Sequence, residues 1–200
     1  MQRRTIDLMV SGAGLMLAVV LIVFGVYFND RYQFADNNVR DQLSEQRIFF
    51  TEKGQLSEEE LQQPGVVKYA GQLVDDGEKA RVYADEYIGL HLEEIADGKT
   101  YAELGGPQFA LRDQVTKAQE TNDPALPELQ AQLDEITGQR DTLFKGETLR
   151  GVLLTTYGFW QFGQEAQLAM YVSFAASAIL LALVGFGVVH AMRTRRNATP

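Results

Sequence analysis

The sequence LAMYVSFAASAILLALVGFGVV occupies residues 168–189 and contains no charged side chain. At about 1.5 Å per residue, a helix of this length crosses a hydrocarbon core of about 30 Å. A second uncharged run, residues 8–28, lies near the other end of the sequence. The two runs predict two transmembrane helices, at residues 8–28 and 168–190.

The charges are distributed unevenly along the chain. Residues 29–167 contain 26 acidic and 13 basic side chains, whereas the end pieces contain one acid, Asp7, and five arginines: Arg3, Arg4, Arg193, Arg195 and Arg196. Basic residues beside a span are retained in the cytoplasm. We therefore expect a plasma-membrane protein with residues 1–7 and 191–200 cytoplasmic and residues 29–167 extracytoplasmic. An acidic exterior argues against nucleic acid as a partner.

The first apolar run is too long for the core of a typical cleaved signal peptide, so we interpret it as a retained anchor. Gly14 and Ala18 lie four residues apart, as do Ala178 and Ala182 in the second run. Small residues at this spacing allow two helices to approach closely. The pattern predicts that the two spans pack against each other or against a partner through these faces.

The middle of the chain shows helical periodicity and no sustained two-residue alternation. Helices are predicted from the first span to near residue 50, over residues 78–97 and 107–120, and from residue 126 onward. Capping-box spacing occurs at Ser57 with Glu60 and at Thr100 with Glu103. The predicted fold class is all-α, with two transmembrane helices flanking an extracytoplasmic helical bundle.

The fourth of these helices, which begins at residue 126, has an apolar stripe that needs a partner, formed by Leu126, Leu129, Leu133 and Ile136. The candidates are the extension of the first span and the helix at 78–97. Residues 147–162 could lie at the membrane interface or continue directly into the second span. Near the end of this segment lie four aromatic side chains: Tyr157, Phe159, Trp160 and Phe162. Such residues are typical of the aromatic belt at the membrane interface. The alternative is that they line a quinone or lipid site.

Residues that could carry chemistry are few. The chain has no cysteine and two histidines. His91 and Glu94 form a His-x-x-Glu pair, but a carboxylate-bridged metal centre needs such residues from several helices. His190 is interpreted as an interfacial residue. Acidic runs such as 58–60 lack calcium-loop spacing, and no nucleophile or phosphate-loop motif occurs. We therefore predict no catalytic residue, no metal ligand, no cofactor and no enzyme activity.

Several short motifs resemble a family of actinobacterial two-pass membrane proteins of unknown function. They are VRDQL (39–43), QRIFF (46–50), KYAGQ (68–72), YA (83–84), HL (91–92), GKTY (98–101) and LFKGETLRG (143–151). The resemblance implies two membrane passes, and members often carry the label aromatic ring-opening dioxygenase. Such non-haem iron enzymes hold the metal with two histidines and a carboxylate. Because the predicted topology places His91 and His190 on opposite sides of the membrane, one protomer cannot assemble that site.

The sequence thus favours a non-enzymatic membrane protein that presents a helical extracytoplasmic interaction domain, as an accessory or scaffold component of a cell-envelope assembly. The expected partners are the lipid bilayer and either another protein or further copies of the chain. The alternative is an extracytoplasmic ligand-sensing module. Only 11 residues follow Val189, so a sensor is expected to act through a partner membrane protein.

Overall fold

A computed structural model describes the backbone of residues 3–196 and the side chains of residues 5–193. Of the predicted cytoplasmic segments, residues 1–2 and 197–200 lie outside the described residues. Within the described part, the chain is helical apart from its connections, and its β-pairing is a single isolated bridge between Phe49 and Leu73. The all-α prediction is confirmed for this part of the chain.

Six α-helices occur in the described residues, together with short 3₁₀ and π segments. The α-helices are α1 Arg3–Gln46, α2 Pro64–Tyr69, α3 Gly77–Val82, α4 Gly89–Glu93, α5 Gly105–Thr121 and α6 Leu126–Arg196. The 3₁₀ turns are Lys53–Gln55, Glu60–Gln62 and Ile95–Gly98, and a π-helix covers Tyr83–Ile88.

Two of these helices are long and apolar enough to cross a membrane. They are Thr5–Gln46, within α1, and Leu126–Arg193, within α6. In the most apolar stretch of each, 17% and 11% of the residues are buried. A core helix of a soluble protein buries most of such a stretch, because exposing large apolar side chains to water is unfavourable.

The chain divides into two compact units. The first unit comprises Met1–Asn38 and Trp160–Pro200, and it contains both apolar runs. The second unit comprises Val39–Phe159 and holds all the short helices.

The second unit has an apolar core where α4, α5 and α6 meet. Leu92, Leu104, Ile136 and Leu143 are buried together, and Leu133 packs against them. The predicted stripe therefore finds its partner through Leu133 and Ile136. The 78–97 region, which was one of the two predicted partners, contributes Leu92 to this core. Leu104, which immediately precedes α5, contributes as well.

The region predicted as one helix at 78–97 is divided into four pieces. Asp76 caps its start, since the Asp76 carboxylate accepts a 2.8 Å hydrogen bond from the Lys79 backbone N–H. The π-helix Tyr83–Ile88 then interrupts the α-helical register. At the other end, Ala96 and Asp97 have φ of 55° and 57°, in the left-handed region. The uniform helix prediction is wrong at these two places, because a 3.6-residue pattern does not reveal a π-turn or a left-handed residue.

The other local predictions agree closely with the structure. Ser57 and Glu60 exchange both capping-box hydrogen bonds, at 2.8 and 3.1 Å. Thr100 and Glu103 do the same, and the hydrogen bond from the Thr100 backbone lowers the pKa of Glu103. Helix α1 ends at Gln46, four residues before the predicted end, because the next residues pair with the 72–74 segment through hydrogen bonds such as Phe50 N to Gln72 O, at 2.9 Å.

Helix α6 is continuous through residues 147–162. Of the two alternatives for this segment, the separate interfacial helix is wrong, and the glycines in it do not break the helix. Gly146 instead allows α6 to pack closely against Leu92, because a side chain at position 146 would overlap the δ-carbons of Leu92.

Candidate functional site

Small residues form the contact between α1 and α6 in the first unit. Ala18 is fully buried, and the Ser177 hydroxyl donates a 3.2 Å hydrogen bond to its carbonyl oxygen. At Gly25 the absence of a side chain leaves room for Phe174, since a Cβ atom there would lie 2.7 Å from its ring. Close approach at small residues together with a polar contact between helices is typical of membrane helix pairs.

The sequence identified one side of this contact correctly. Gly14 lies on the contact face, with a hypothetical Cβ 3.0 Å from Val184, and Ala18 is buried. Ala178 and Ala182, the predicted matching face, are exposed. Within this chain the α6 side of the contact is therefore formed by other residues, among them Ser177, Val184 and Gly187, and packing of Ala178 and Ala182 against a partner stays a prediction.

The aromatic residues near 157–162 differ in their surroundings. Phe159 and Phe162 are exposed, as expected of rings that face lipid or a partner. Trp160 instead donates a 3.2 Å hydrogen bond from Nε1 to the Asp36 carboxylate. In the first unit this hydrogen bond joins α1 to α6 beyond the apolar runs. The assignment of residues 157–162 to an interfacial belt stays a prediction.

In the second unit, His91 pairs with a carboxylate that the sequence had not connected to it. Its Nε2 lies 3.4 Å from Oε1 of Glu60, whose side chain is only 6% exposed. The other nitrogen, Nδ1, lies 2.7 Å from the Tyr87 carbonyl oxygen. Glu94, the predicted neighbour, is exposed. The signal for Glu60 was present as a capping box, but that motif says nothing about a residue 31 positions away.

The hydrogen bond at Nδ1 determines the protonation state in which this pair is attractive. A carbonyl oxygen only accepts, so Nδ1 carries a hydrogen. In the neutral ring, Nε2 then presents a lone pair to Glu60, whereas in the charged ring it presents a hydrogen. His91 and the Glu60 carboxylate thus attract each other when His91 is protonated.

Aromatic rings extend from this pair into the second unit. The rings of Tyr83, Tyr87 and His91 follow one another with centroids 4.7 Å apart. Phe50, which is fully buried, meets Tyr83 edge-on at 5.2 Å. Burial raises the pKa of the Tyr83 phenol, and the nearby Tyr87 and Glu60 add to the effect. The ring faces make this site apolar, while the tyrosine hydroxyl groups can form hydrogen bonds.

The π-helix is held by three polar side chains that bind three different segments. Arg150 contacts Asp85 at 3.0 Å, and Glu86 accepts a 2.6 Å hydrogen bond from the Gly65 backbone N–H. Tyr87 and Thr51 share a hydrogen bond of 3.2 Å between their hydroxyl groups. These contacts stabilise a helical form that is rare and frequently marks functional positions.

A second polar cluster fixes the loop before α5. The Arg140 guanidinium lies 4.0 Å above the Tyr101 ring, and its Nε donates to the Tyr101 carbonyl oxygen at 3.2 Å. Arg140 also donates to the amide oxygen of buried Gln108, whose amide nitrogen donates to Thr137 at 2.8 Å. These contacts hold the loop before α5, and the first turn of α5, against α6.

Metal binding by the described residues would require several ligating side chains that lie close together. Among the residues that the structure describes, no group of three or more His, Cys, Asp or Glu side chains could hold a metal ion. His190 lines a groove between α1 and α6, together with Asp7. His91 and His190 belong to different units.

Comparisons with protein-family models, with curated proteins and with solved structures gave no match. The resemblance to actinobacterial two-pass membrane proteins therefore stays a prediction.

Proposed function

We propose that this chain is a non-enzymatic integral membrane protein that presents the second unit outside the cytoplasm as an interaction domain. In this role it is an accessory or scaffold component of a cell-envelope assembly. The observation that carries the proposal is the low burial of the two apolar helices, 17% and 11% in their most apolar stretches. Such helices need lipid around them.

The charge distribution supports an orientation for this arrangement. Five arginines flank the apolar runs at the ends of the chain, and the middle is acidic. Two spans place both ends on the same side of the membrane, and the positive-inside rule makes that side the cytoplasm. A cytoplasm-active reporter fused after Pro200 is expected to be active. The same reporter inserted after Gly54, which is exposed in the second unit, is expected to be inactive. The reverse pattern would contradict the orientation.

Exposed aromatic side chains in the second unit provide a place to look for the partner. Phe109 on α5 is 65% exposed, and aromatic side chains are enriched in protein–protein interfaces. A photo-crosslinking residue at Phe109 in the full-length protein is expected to capture one partner in stoichiometric amounts. The matched control is Gln119, which is exposed and polar on the same helix. Equal capture at both positions, or none, would argue against an interaction surface there.

The second candidate is a ligand-sensing module that acts through a partner membrane protein. The π-helix next to the pair of buried Glu60 and exposed His91 favours it, because π-turns occur frequently at functional sites. A sensor is expected to be stabilised thermally by a small molecule or a metal ion, and His91→Ala should abolish that shift. If His91→Ala lowers stability alone and no ligand shifts the parent protein, this candidate fails.

A further inference from the structure

A groove of about 470 Å³ lies between the two apolar helices of the first unit. Its walls are residues 7–14 of α1 and residues 180–190 of α6. Val10, Leu180, Leu183 and Phe186 make most of the lining apolar, while Asp7 and His190 lie at one end. The volume falls in the range of about 300–1,000 Å³ that is typical of ligand pockets.

The groove results from the alternation of small and large residues. A Cβ atom at Gly187 would lie 2.6 Å from the Ser11 hydroxyl, so the two backbones are close at this point. Larger side chains beside this contact, such as Leu183 and Phe186, are exposed and form the rim. A narrow apolar channel with a rim of this kind fits a hydrocarbon chain and offers a polar molecule few hydrogen bonds along its length.

Near the polar end, Arg3, Arg4 and Arg193 outnumber the single carboxylate of Asp7, so the net charge favours an anionic headgroup. Arg193 is exposed and lies three residues beyond His190, which is one helical turn further along α6. Arg3 and Arg4 precede Asp7 by four and three residues in the sequence. Basic residues beside grooves between membrane helices attract anionic lipid headgroups. A second copy of the chain is a poorer occupant, because with the same orientation it would bring five more arginines to this end.

We propose that this groove holds one acyl chain of an anionic phospholipid, with the headgroup at the end marked by Arg193. The inference rests on the membrane insertion proposed above and adds a specific lipid site to it. The bound lipid fills the groove beside the close helix contacts at Gly14 and Gly187, and thereby stabilises the pairing of the two helices.

The test uses full-length protein in nanodiscs of equimolar phosphatidylglycerol and phosphatidylcholine. After transfer to detergent, native mass spectrometry counts the lipids retained by each protomer. Val10 lines the groove and is 66% exposed, whereas Val23 lies outside the groove and is 63% exposed on the same helix. Val10→Trp is expected to reduce retained phosphatidylglycerol to background. Val23→Trp is the matched control and should retain one molecule, as the parent protein does.

A second variant changes the charge without filling the groove. Arg193→Gln should lower the preference for phosphatidylglycerol over phosphatidylcholine about fivefold, which is the contribution of one basic residue near an anionic surface. Equal retention by the Val10→Trp and Val23→Trp variants would overturn the inference. A parent dimer that Val10→Trp dissociates would also overturn it, since a second copy then occupies the groove. Release of the parent protein from membranes by alkaline carbonate would instead refute the proposed function.

Discussion

Replacing Gly146 by alanine tests how α6 packs against α4 in the second unit. Glycine inside a helix costs about 0.5–1 kcal/mol relative to alanine, so the substitution gains that amount where space is free. At Gly146, however, the new Cβ would overlap the δ-carbons of Leu92, which is 8% exposed in the core. Overpacking of this kind costs about 1–3 kcal/mol. Gly146→Ala is therefore expected to destabilise the unit by up to about 2.5 kcal/mol.

Two further variants make the test specific. Gly138 lies in the same helix with open space at its Cβ position, so Gly138→Ala should stabilise the protein by about 0.5–1 kcal/mol. Leu92→Ala removes the opposing δ-carbons and should cost about 2–5 kcal/mol. In that background Gly146→Ala enters vacated space and should become stabilising. The expected coupling between the two positions is about 1–3 kcal/mol.

The assay is hydrogen exchange followed by mass spectrometry on the full-length protein in detergent. Peptides covering residues 88–98 and 133–146 report the opening free energy of the core around Leu92. The double-mutant cycle is then calculated from these local values. If Gly146→Ala stabilises the parent as much as Gly138→Ala does, α6 does not meet Leu92 in this register and the packing described above is refuted.

Three other predictions concern single contacts. Ser177→Ala removes the hydrogen bond to the Ala18 carbonyl and should weaken the helix pair by about 0.6 kcal/mol, measured by resistance of the first unit to unfolding in SDS. Asp36→Ala removes the acceptor for Trp160, so the fluorescence maximum of the single tryptophan should shift; an unchanged spectrum would contradict this contact. The pKa of Tyr83 is raised by burial, so its contribution to stability is complete below a pH of about 10 and is lost as the pH rises through the raised value. Tyr83→Phe should reduce the loss of helix circular dichroism above pH 10.

The features predicted well from the sequence are those set by neighbouring residues. A capping box depends on two side chains three positions apart, so Ser57 with Glu60 and Thr100 with Glu103 could be identified from spacing alone. Helix α5 similarly ends at Thr121, one residue beyond the predicted end, and the next residue, Asn122, has a φ of 51°, a conformation that asparagine tolerates.

The candidate site in the second unit could not be predicted, because its parts come from distant segments. The π-helix depends on Thr51, Gly65 and Arg150, each of which binds a different side chain of residues 83–88. The partner of His91 is Glu60. A periodic pattern within 20 residues contains no information about these contacts, and Glu94 was the nearest carboxylate that such a pattern could offer.

The contact face of the two apolar helices shows a different limit. On an amphipathic helix, the apolar stripe marks the buried side, but a span is apolar on every side and offers no such contrast. Small residues then become the remaining signal, and α6 carries them on more than one face. Ala178 and Ala182 fit the spacing rule as well as any pair, yet they are exposed. Ser173 and Ser177 are buried instead, and Ser177 gains an acceptor on the neighbouring helix, the Ala18 carbonyl oxygen. In an apolar run, the position of its few polar side chains thus indicates the contact face better than the position of its small ones.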